Sequence, residues 1–489
     1  MRPTWMLLTA IAAAAILVVP SSALSADQPA AKTEAKTETK AEAKAADHPA
    51  HQADAADKET SCDFCKAKEG LHKVAPWLTL FADMRLRYVF APNLVWNDDK
   101  IAANDTDTDW QFQRYRFRLG ATVTPCKDLD LNFRLVYEPR HYCSPESRDD
   151  PSLNEAIFDL FNIKYKNVCG LPVTATVGRQ EIILGNGWLV LDGTPLDGSR
   201  TLFFDAARLT TELKDCKTTI DTIYINQHSD SDRWLEPFND QDVALTEQNE
   251  QGAILYVTNR SLARTEVNGY FIYKHDRQVL ATGHDSDIYG WGGRVVHDLN
   301  DNWQARAEFI KECGHQDGCD LDAWGFNGRL TYKFNDRCKS TIHVGYEFLS
   351  GDDPGSSTNE RFDPLWGRWP QWSEGYGVYS FITESGRPND LANLHRINVG
   401  WGCSPCEKLF LQTNYDLLFT DENYPGRQAT GFSPDGCLRG QQLSAKLTYQ
   451  FNEHISGHVL AELFFPGDFY TDARNDVSGF FRYELTIAW

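Results

Sequence analysis

Apolar and polar residues alternate along the chain from Trp77 to its end. The period of two is clearest in segments 114–123, 129–138, 323–332 and 481–489. Successive side chains of a β-strand point to opposite faces of the sheet, so each of these segments has one apolar face and one polar face. The pattern predicts an all-β chain.

Tight turns and longer polar loops connect these segments in alternation. Tight turns include 125–127 and 403–406, whereas the long loops include 91–109 and 351–389. Short turns on one side and long loops on the other are typical of outer-membrane barrels, whereas a secreted β-sandwich or propeller needs no such order. We therefore predict an up-and-down, 18-stranded antiparallel transmembrane β-barrel over 77–489. The predicted strands begin near residues 77, 110, 128, 154, 171, 199, 217, 246, 264, 284, 302, 321, 339, 390, 408, 439, 455 and 476.

The residues before the barrel differ in composition. Residues 1–26 have the features of a signal peptide, with Arg2 at the start, an apolar run and small residues for cleavage. Residues 27–76 are rich in Ala, Lys and Glu and contain the pair Cys62 and Cys65. We predict that this segment is a periplasmic tether, because it has too few large apolar residues to bury a core. A contact of the tether with the cell wall or a periplasmic partner stays open.

The composition limits the partners. Aromatic residues make up 12% of the 489 residues, and the formal net charge is -21. An acidic surface repels nucleic acid phosphates, so we expect no nucleic acid partner. The net charge does not describe the interior, because acidic outer loops can coexist with a basic lumen. We predict that the chain lies in the outer membrane in contact with its lipid.

Twelve cysteines in an exported chain favour structural disulfides. We expect Cys313–Cys319 within one loop and pairs between neighbouring turns, such as Cys126–Cys169. Zinc binding and redox exchange by the Cys-x-x-Cys pairs are alternatives, but these pairs lie too far apart in sequence for a strong zinc signal. The barrel places Cys62, Cys65, Cys126, Cys169, Cys216, Cys338, Cys403 and Cys406 on the periplasmic side, and Cys143, Cys313, Cys319 and Cys437 outside.

Arginines recur on the polar faces of the predicted strands. Guanidinium groups bind carboxylates bidentately and stay charged, and rings of Arg or Lys select anions in pores. One interpretation is a conduit for an anionic substrate; the other is that the charges pair across strands and stiffen the barrel. The candidate conduit residues are Arg114, Arg116, Arg118, Arg134, Arg140, Arg179, Arg208, Arg294, Arg306, Arg329 and Arg396.

Three segments resemble the alginate export family of outer-membrane barrels. They are 178–187, which contains Gly-Arg-Gln-Glu and Leu-Gly-Asn-Gly, then 200–209, and 362–366 with the sequence Phe-Asp-Pro-Leu-Trp. The resemblance extends over about 77–489. It implies an 18-stranded barrel with an arginine-rich conduit for a polyuronate. The cysteine-rich turns, the tether and the terminal Trp489 depart from the family pattern.

The longest loop, 351–389, contains Trp366, Trp369 and Trp372. Exposed rings of this loop can stack on sugars, fold inward as a plug, or pack on one another as a lid. The acidic run 104–109 offers oxygen ligands for calcium, but it has no EF-hand pattern and a solvated charge run is the simpler interpretation. We predict no metal site.

Three functions remain open. The first is a channel for an anionic polysaccharide or oligosaccharide, such as an alginate-like polyuronate. A general or small-solute porin for nutrient uptake is the second, with small anions as partners, and a structural or adhesive outer-membrane protein is the third. The chain has no Gly-x-Ser-x-Gly, P-loop or His-Glu-x-x-His motif, so we predict neither an enzyme nor a cofactor.

Overall fold

A computed structural model describes most of the chain after residue 71. The described ranges are 72–93, 109–144, 154–191, 203–230, 233–242, 244–281, 283–367, 370–375, 391–423 and 431–489. The predicted signal peptide, most of the predicted tether and the pair Cys62 and Cys65 lie outside these ranges. Within them, no helix is long and apolar enough to cross a membrane.

One antiparallel sheet closes into a barrel. Of its 20 strand segments, two form the interrupted strand β3, and Lys73–Ala75 only pairs with the start of β1, so eighteen strands surround the interior. In chain order they are β1 Leu78–Ala91, β2 Trp110–Cys126, β3 Leu129–Tyr137 with Arg140–Ser144, β4 Ala156–Tyr165, β5 Val173–Gln180, β6 Phe204–Leu213, β7 Thr218–Gln227, β8 Gln248–Asn259, β9 Thr265–Gln278, β10 Ser286–Asp298, β11 Trp303–Gln316, β12 Cys319–Lys333, β13 Thr341–Leu349, β14 Leu394–Cys406, β15 Leu409–Phe419, β16 Leu438–Gln450, β17 Ile455–Pro466 and β18 Ser478–Ala488.

The first and last strands close the barrel. They pair in continuous register from Asp83 opposite Ala488 to Phe90 opposite Phe481. Beyond this ladder, the backbone N–H of Trp489 donates to the carbonyl of Ala82 at 2.8 Å. We call this junction the seam. The predicted 18-stranded antiparallel barrel is confirmed.

The two ends of the barrel differ as the sequence predicts. Turns such as 127–128 and 407–408 lie at one end, which we call the turn side, and loops such as 467–477 lie at the other, the loop side. Asp317 and Gly318 form a tight turn on the loop side, between β11 and β12, with positive φ angles of 51° and 86°. Such a pair of angles is typical of a two-residue hairpin.

The outward face of the barrel is apolar. On β2, Phe117 and Leu119 are 43% and 63% exposed, whereas the interleaved Arg114 and Arg116 are buried inside. Aromatic side chains on the outward face gather towards both ends of the strands, as in the girdles of outer-membrane barrels. They include Tyr224, Tyr289, Trp291 and Trp324 towards the loop side, and Trp303, Tyr449, Phe451 and Trp489 towards the turn side.

The inward face is also apolar towards the loop side, which the simple alternation does not predict. Inward residues of the central strands, such as Ile254, Ile272 and Ile288, are at most 2% exposed. They form one cluster with loop residues, including Ile182 and Leu365. Loops therefore fold into this half of the barrel and bury its wall.

The expected disulfides are not found. The ten cysteines within the described residues are all free thiols. Cys313 lies opposite Asp322 and Cys319 opposite Gln316, so the two cysteines are three ladder positions apart and face opposite sides of the sheet. Three strand positions correspond to roughly 10 Å, whereas a disulfide requires Cα atoms within about 7 Å.

The predicted pair Cys126–Cys169 also fails for a geometric reason. Cys126 ends β2, whereas Cys169 lies in the turn between β4 and β5. Strand β3 lies between β2 and β4, so the two thiols are separated by two strand spacings, which is about 10 Å. The two turns are neighbours on the turn side of the barrel, but Cys126 lies on the strand of its turn that is farther from Cys169.

Candidate interior binding surface

Arginine side chains form two rows across β1, β2 and β3. Arg87 lies directly opposite Arg114, which lies opposite Arg140. One step towards the turn side, Arg85 lies opposite Arg116. Like charges that face each other on neighbouring strands destabilise a sheet. This arrangement therefore costs stability unless anionic groups accompany it.

Carboxylates of the barrel strands accompany these arginines. Among the described residues, Glu138 lies 2.5 Å from Arg85 and 2.6 Å from Arg114. Asp83 lies 3.0 Å from Arg116 and 2.6 Å from Arg118, and Glu484 lies 2.5 Å from Arg87. Within the described strands, three carboxylates thus contact five arginines, four of which make further contacts as well. We call the following set the arginine wall: Arg85, Arg87, Arg114, Arg116 and Arg118.

Five of the other predicted arginines pair with a carboxylate on a neighbouring strand. These ion pairs fit the interpretation in which charges pair across strands and stiffen the barrel. Arg179 is bidentate, with its Nε and Nη2 donating to the two oxygens of Asp205 at 2.9 and 3.0 Å. The five pairs are Arg134–Asp159, Arg179–Asp205, Arg208–Asp221, Arg294–Glu266 and Arg396–Asp416, with closest N–O distances of 2.8, 2.9, 2.8, 2.6 and 2.8 Å.

Arg294 also donates to the side-chain oxygen of Asn186, which belongs to the loop after β5, at 2.5 Å. The three remaining predicted arginines lie in two settings. Arg306 lies opposite Arg329 across β11 and β12, and both are partly exposed. Arg140 lies over two aromatic rings, 5.1 and 5.8 Å from their centroids. The predicted set is therefore distributed around the barrel rather than gathered at one point.

Two loops fold into the interior, and we call them the inner loops: 181–191 after β5, and 350–375 after β13, of which 368 and 369 are not described. They pair with each other through backbone hydrogen bonds. The N–H of Trp366 donates to Leu189 at 3.1 Å, and the N–H of Leu191 donates to Trp366 at 3.3 Å. The Leu-Gly-Asn-Gly segment of the sequence lies in the first inner loop, so it contacts the barrel interior.

The tryptophans of the second inner loop point inward. Trp366 is 5% exposed, and its indole Nε1 donates to Glu250 of β8 at 2.9 Å. Arg396 lies over the Trp372 ring at 5.0 Å from its centroid. Trp369 lies outside the described residues. The sequence left three arrangements open for the rings of this loop, and Trp366 and Trp372 adopt the one in which the loop folds inward.

A single carboxylate anchors the end of the second inner loop. Glu462 of β17 accepts the hydroxyl of Ser373 at 2.9 Å. It also accepts the backbone N–H groups of Glu374 and Gly375 at 3.0 and 2.8 Å. Three donors from consecutive residues fix the backbone of this segment against the wall. The side chain of Glu374 then lies 2.8 Å from Arg482 of β18.

Four acidic side chains gather on the loop side, in the loops after β13 and β15. Asp421 accepts the backbone N–H of Gly351 at 2.9 Å, which links two loops. Burial raises the pKa of Glu422, and the nearby carboxylates of Asp421, Asp353 and Glu360 raise it further. These four carboxylates thus form an acidic cluster on the loop side.

Sequence reasoning missed several buried cations. Arg85 and Arg87 follow the same alternation as the arginines of β2, in the segment Asp-Met-Arg-Leu-Arg that begins at Asp83, so the signal was present. Arg482 was visible in the polar phase of the last strand. Lys274 carried no special signal, because its role depends on contacts with the second inner loop.

The comparisons with known proteins agree with this fold. The alginate export family model matches residues 134–483. OpdQ from Pseudomonas aeruginosa aligns with a TM-score of 0.53 and 10% identity, covering 84% of this chain and 98% of that chain. The outer membrane protein opdK from Pseudomonas aeruginosa has a TM-score of 0.52, 9% identity and the same coverage of 84% and 98%. No curated protein matches the chain.

A BenF-like porin from Pseudomonas fluorescens Pf-5 also aligns, with a TM-score of 0.52, 11% identity and coverage of 84% of this chain and 98% of that chain. At these identities the likeness shows the fold. The family model spans most of the barrel, from β3 to β18. The chain therefore belongs to the alginate export family and is a porin-like channel of the outer membrane rather than an enzyme.

Proposed function

We propose that this channel passes an anionic polysaccharide or oligosaccharide, such as an alginate-like polyuronate, along the arginine wall. The observation that carries the proposal is the register of β1 and β2. It places Arg87 opposite Arg114 and Arg85 opposite Arg116. A sheet that needed only internal pairing would place acid opposite base, as β5 and β6 do with Arg179 and Asp205.

The chemistry of the wall suits carboxylated sugars. Guanidinium groups bind carboxylates through two parallel hydrogen bonds and remain charged at every physiological pH. Arg114, Arg116 and Arg118 occupy alternate positions of one strand, so they span roughly 13 Å along the barrel. That length approaches several sugar residues, so successive carboxylates of a chain can contact successive arginines. A site for one small anion needs no such extension.

Conductance in planar bilayers tests the proposal. Replacing Arg114, Arg116 and Arg118 by Ala should reduce the anion-to-cation permeability ratio, because the positive wall is lost. It should also raise the half-blocking concentration of an added oligouronate by about tenfold or more, since hydrogen bonds to charged groups are lost. An unchanged reversal potential and unchanged block would contradict the assigned role.

Two controls separate charge from recognition and from folding. Arg260→Ala removes an exposed arginine of the turn side, 57% exposed at its side chain, and should leave selectivity unchanged. Replacing the three wall arginines by Lys keeps the charge but removes the planar donor pair. That variant should keep anion selectivity and still bind the oligouronate more weakly. Heat-modified gel mobility reports whether each barrel has closed.

A small-solute porin is the second candidate, and the inner loops favour it. Trp366 and Trp372 lie inside the barrel, so these loops narrow the route for a polymer. A porin of this kind should conduct small anions without block by an oligouronate at any concentration. The same bilayer measurement therefore distinguishes the two functions.

A further inference from the structure

We propose that two carboxylates of the inner loops, Glu181 and Glu374, are tethered competitors for the cargo. Glu374 pairs with Arg482 of β18 and Glu181 pairs with Arg134 of β3, on the two strands that flank the arginine wall. An anionic substrate would otherwise contact these two cations, and each carboxylate is displaced as the substrate passes. This inference rests on the proposed anionic cargo. It adds that carboxylates of the channel itself compete with the cargo for these cations, which keeps the cargo from binding too tightly.

Glu374 reaches the positive wall at its edge. Arg482 of β18 is 3% exposed, and its Nη1 lies 2.8 Å from a carboxylate oxygen of Glu374. Its Nε donates to His458 at 3.0 Å. Two residues along β18, Glu484 contacts Arg87 of the arginine wall. Arg482 therefore extends the wall by one strand across the seam.

The position of Glu374 does not depend on its own ion pair. Its backbone N–H and that of Gly375 donate to Glu462 at 3.0 and 2.8 Å. The hydroxyl of Ser373 donates to the same carboxylate at 2.9 Å. The loop backbone is thus held by Glu462 while the side chain of Glu374 contacts Arg482. A substrate can displace that side chain without releasing the loop.

Glu181 presents the second loop-borne carboxylate. It follows β5 directly and pairs with Arg134 of β3. Arg134 also has a bidentate partner on the neighbouring strand, because its Nε and Nη2 donate to Asp159 at 2.8 and 2.9 Å. The side chain of Glu181 is 31% exposed, whereas that of Asp159 is 1% exposed. Glu181 is therefore the exchangeable partner: its departure frees an Nη2 donor of Arg134 for a substrate carboxylate, while Asp159 still holds the guanidinium in place.

The competitor role follows from what a conduit requires. Binding must be favourable enough for entry and weak enough for exit. Pairs between neighbouring strands, such as Arg179–Asp205, are fixed by the sheet register. Pairs between a loop and a strand join a movable side chain to a fixed cation. A loop carboxylate therefore lowers the net affinity for an anion without removing the arginine that guides it.

Single-channel recording of Glu374→Gln, Glu181→Gln and the double variant tests this inference. Glutamine keeps the shape of the side chain and removes its charge. Each single variant should shift the reversal potential towards the equilibrium potential of the anion. It should also lengthen oligouronate blocking events by about two- to fivefold, which corresponds to the free energy of one partly exposed ion pair. Unchanged or shorter events would overturn the inference.

Matched variants keep the result interpretable. Asp435→Asn removes one exposed carboxylate of an outer loop and should change neither readout. Glu374→Asp keeps the charge, so an effect equal to that of Glu374→Gln would show a packing role and overturn the competitor role. Failure of the proposed cargo looks different: oligouronate would not block the native channel, while the Gln variants would still shift the chloride reversal potential.

Discussion

At the scale of single residues, the inner loops depend on one buried lysine. Lys274 of β9 is 1% exposed. Its ammonium lies 2.7 Å from Asp276 and 3.9 Å from Asp363 of the second inner loop. It also lies 5.8 Å from the centroid of the Trp366 ring. A buried charge of this kind is tolerated only because opposite charges and hydrogen bonds surround it.

Lys274→Met should lower the free energy of unfolding by about 3–5 kcal/mol, because it leaves Asp276 as a buried carboxylate without its cation. Chemical unfolding in detergent micelles measures the change. The double variant Lys274→Met with Asp276→Asn should recover part of the loss. Lys127→Met alters an exposed turn residue and serves as control. A loss no greater than that of the control would contradict the role given to Lys274.

At the scale of elements, alternation was sufficient to predict the strands. Lipid on the outward face and polar groups on the inward face impose a period of two, so strands such as β2, β12 and β18 can be recognised in the sequence. The inner loops are not, because their positions depend on contacts remote in sequence. Trp366 and Glu250, for example, are 116 positions apart. The failed Cys313–Cys319 disulfide has a similar origin, since the two-residue turn at Asp317 extends both strands beyond the expected loop.

Trp366 should act as the anchor of the second inner loop. Its ring packs edge-on against that of Phe204, with 6.2 Å between the ring centroids. The ring also lies so close to Gly252 that a Cβ atom on that residue would come within 2.3 Å of it. Trp366→Ala should release the loop from β8, raise single-channel conductance and expose 350–375 to proteolysis, because truncating a buried Trp costs about 3–5 kcal/mol. Trp366→Phe keeps most of the packing and should stay near the native conductance. Equal conductance in all three proteins would refute the anchor role.

At the scale of the whole molecule, charge is separated along the barrel axis. An acidic cluster of loop residues lies on the loop side and the arginine wall lies on β1 and β2 below it, so the net charge of -21 does not describe each part of the barrel. This contrast was foreseeable from the sequence in outline. Which arginines face each other was not, because register depends on the exact pairing of β1 with β2.

Acidification should strengthen the block by an oligouronate added on the loop side. The pKa of Glu422 is raised by burial and by neighbouring carboxylates, so this group takes up a proton at a higher pH than an ordinary glutamate. Its charge is present above that pKa and is lost as the pH falls through it, which weakens repulsion on the loop side. Half-blocking concentration against pH is the measurement. Glu422→Gln should flatten the profile, and an identical profile in this variant would rule out Glu422 as the titrating group.

The seam has a consequence for assembly. Arg87 and Glu484 meet across it although they are 397 positions apart in the chain, and contacts between such distant positions are slow to form. Until they meet, β1 and β18 are open edges that invite pairing with other chains. Arg87 also lacks Glu484 in that unclosed sheet. The ion pair between Arg87 and Glu484 thus forms in the same step that seals the barrel.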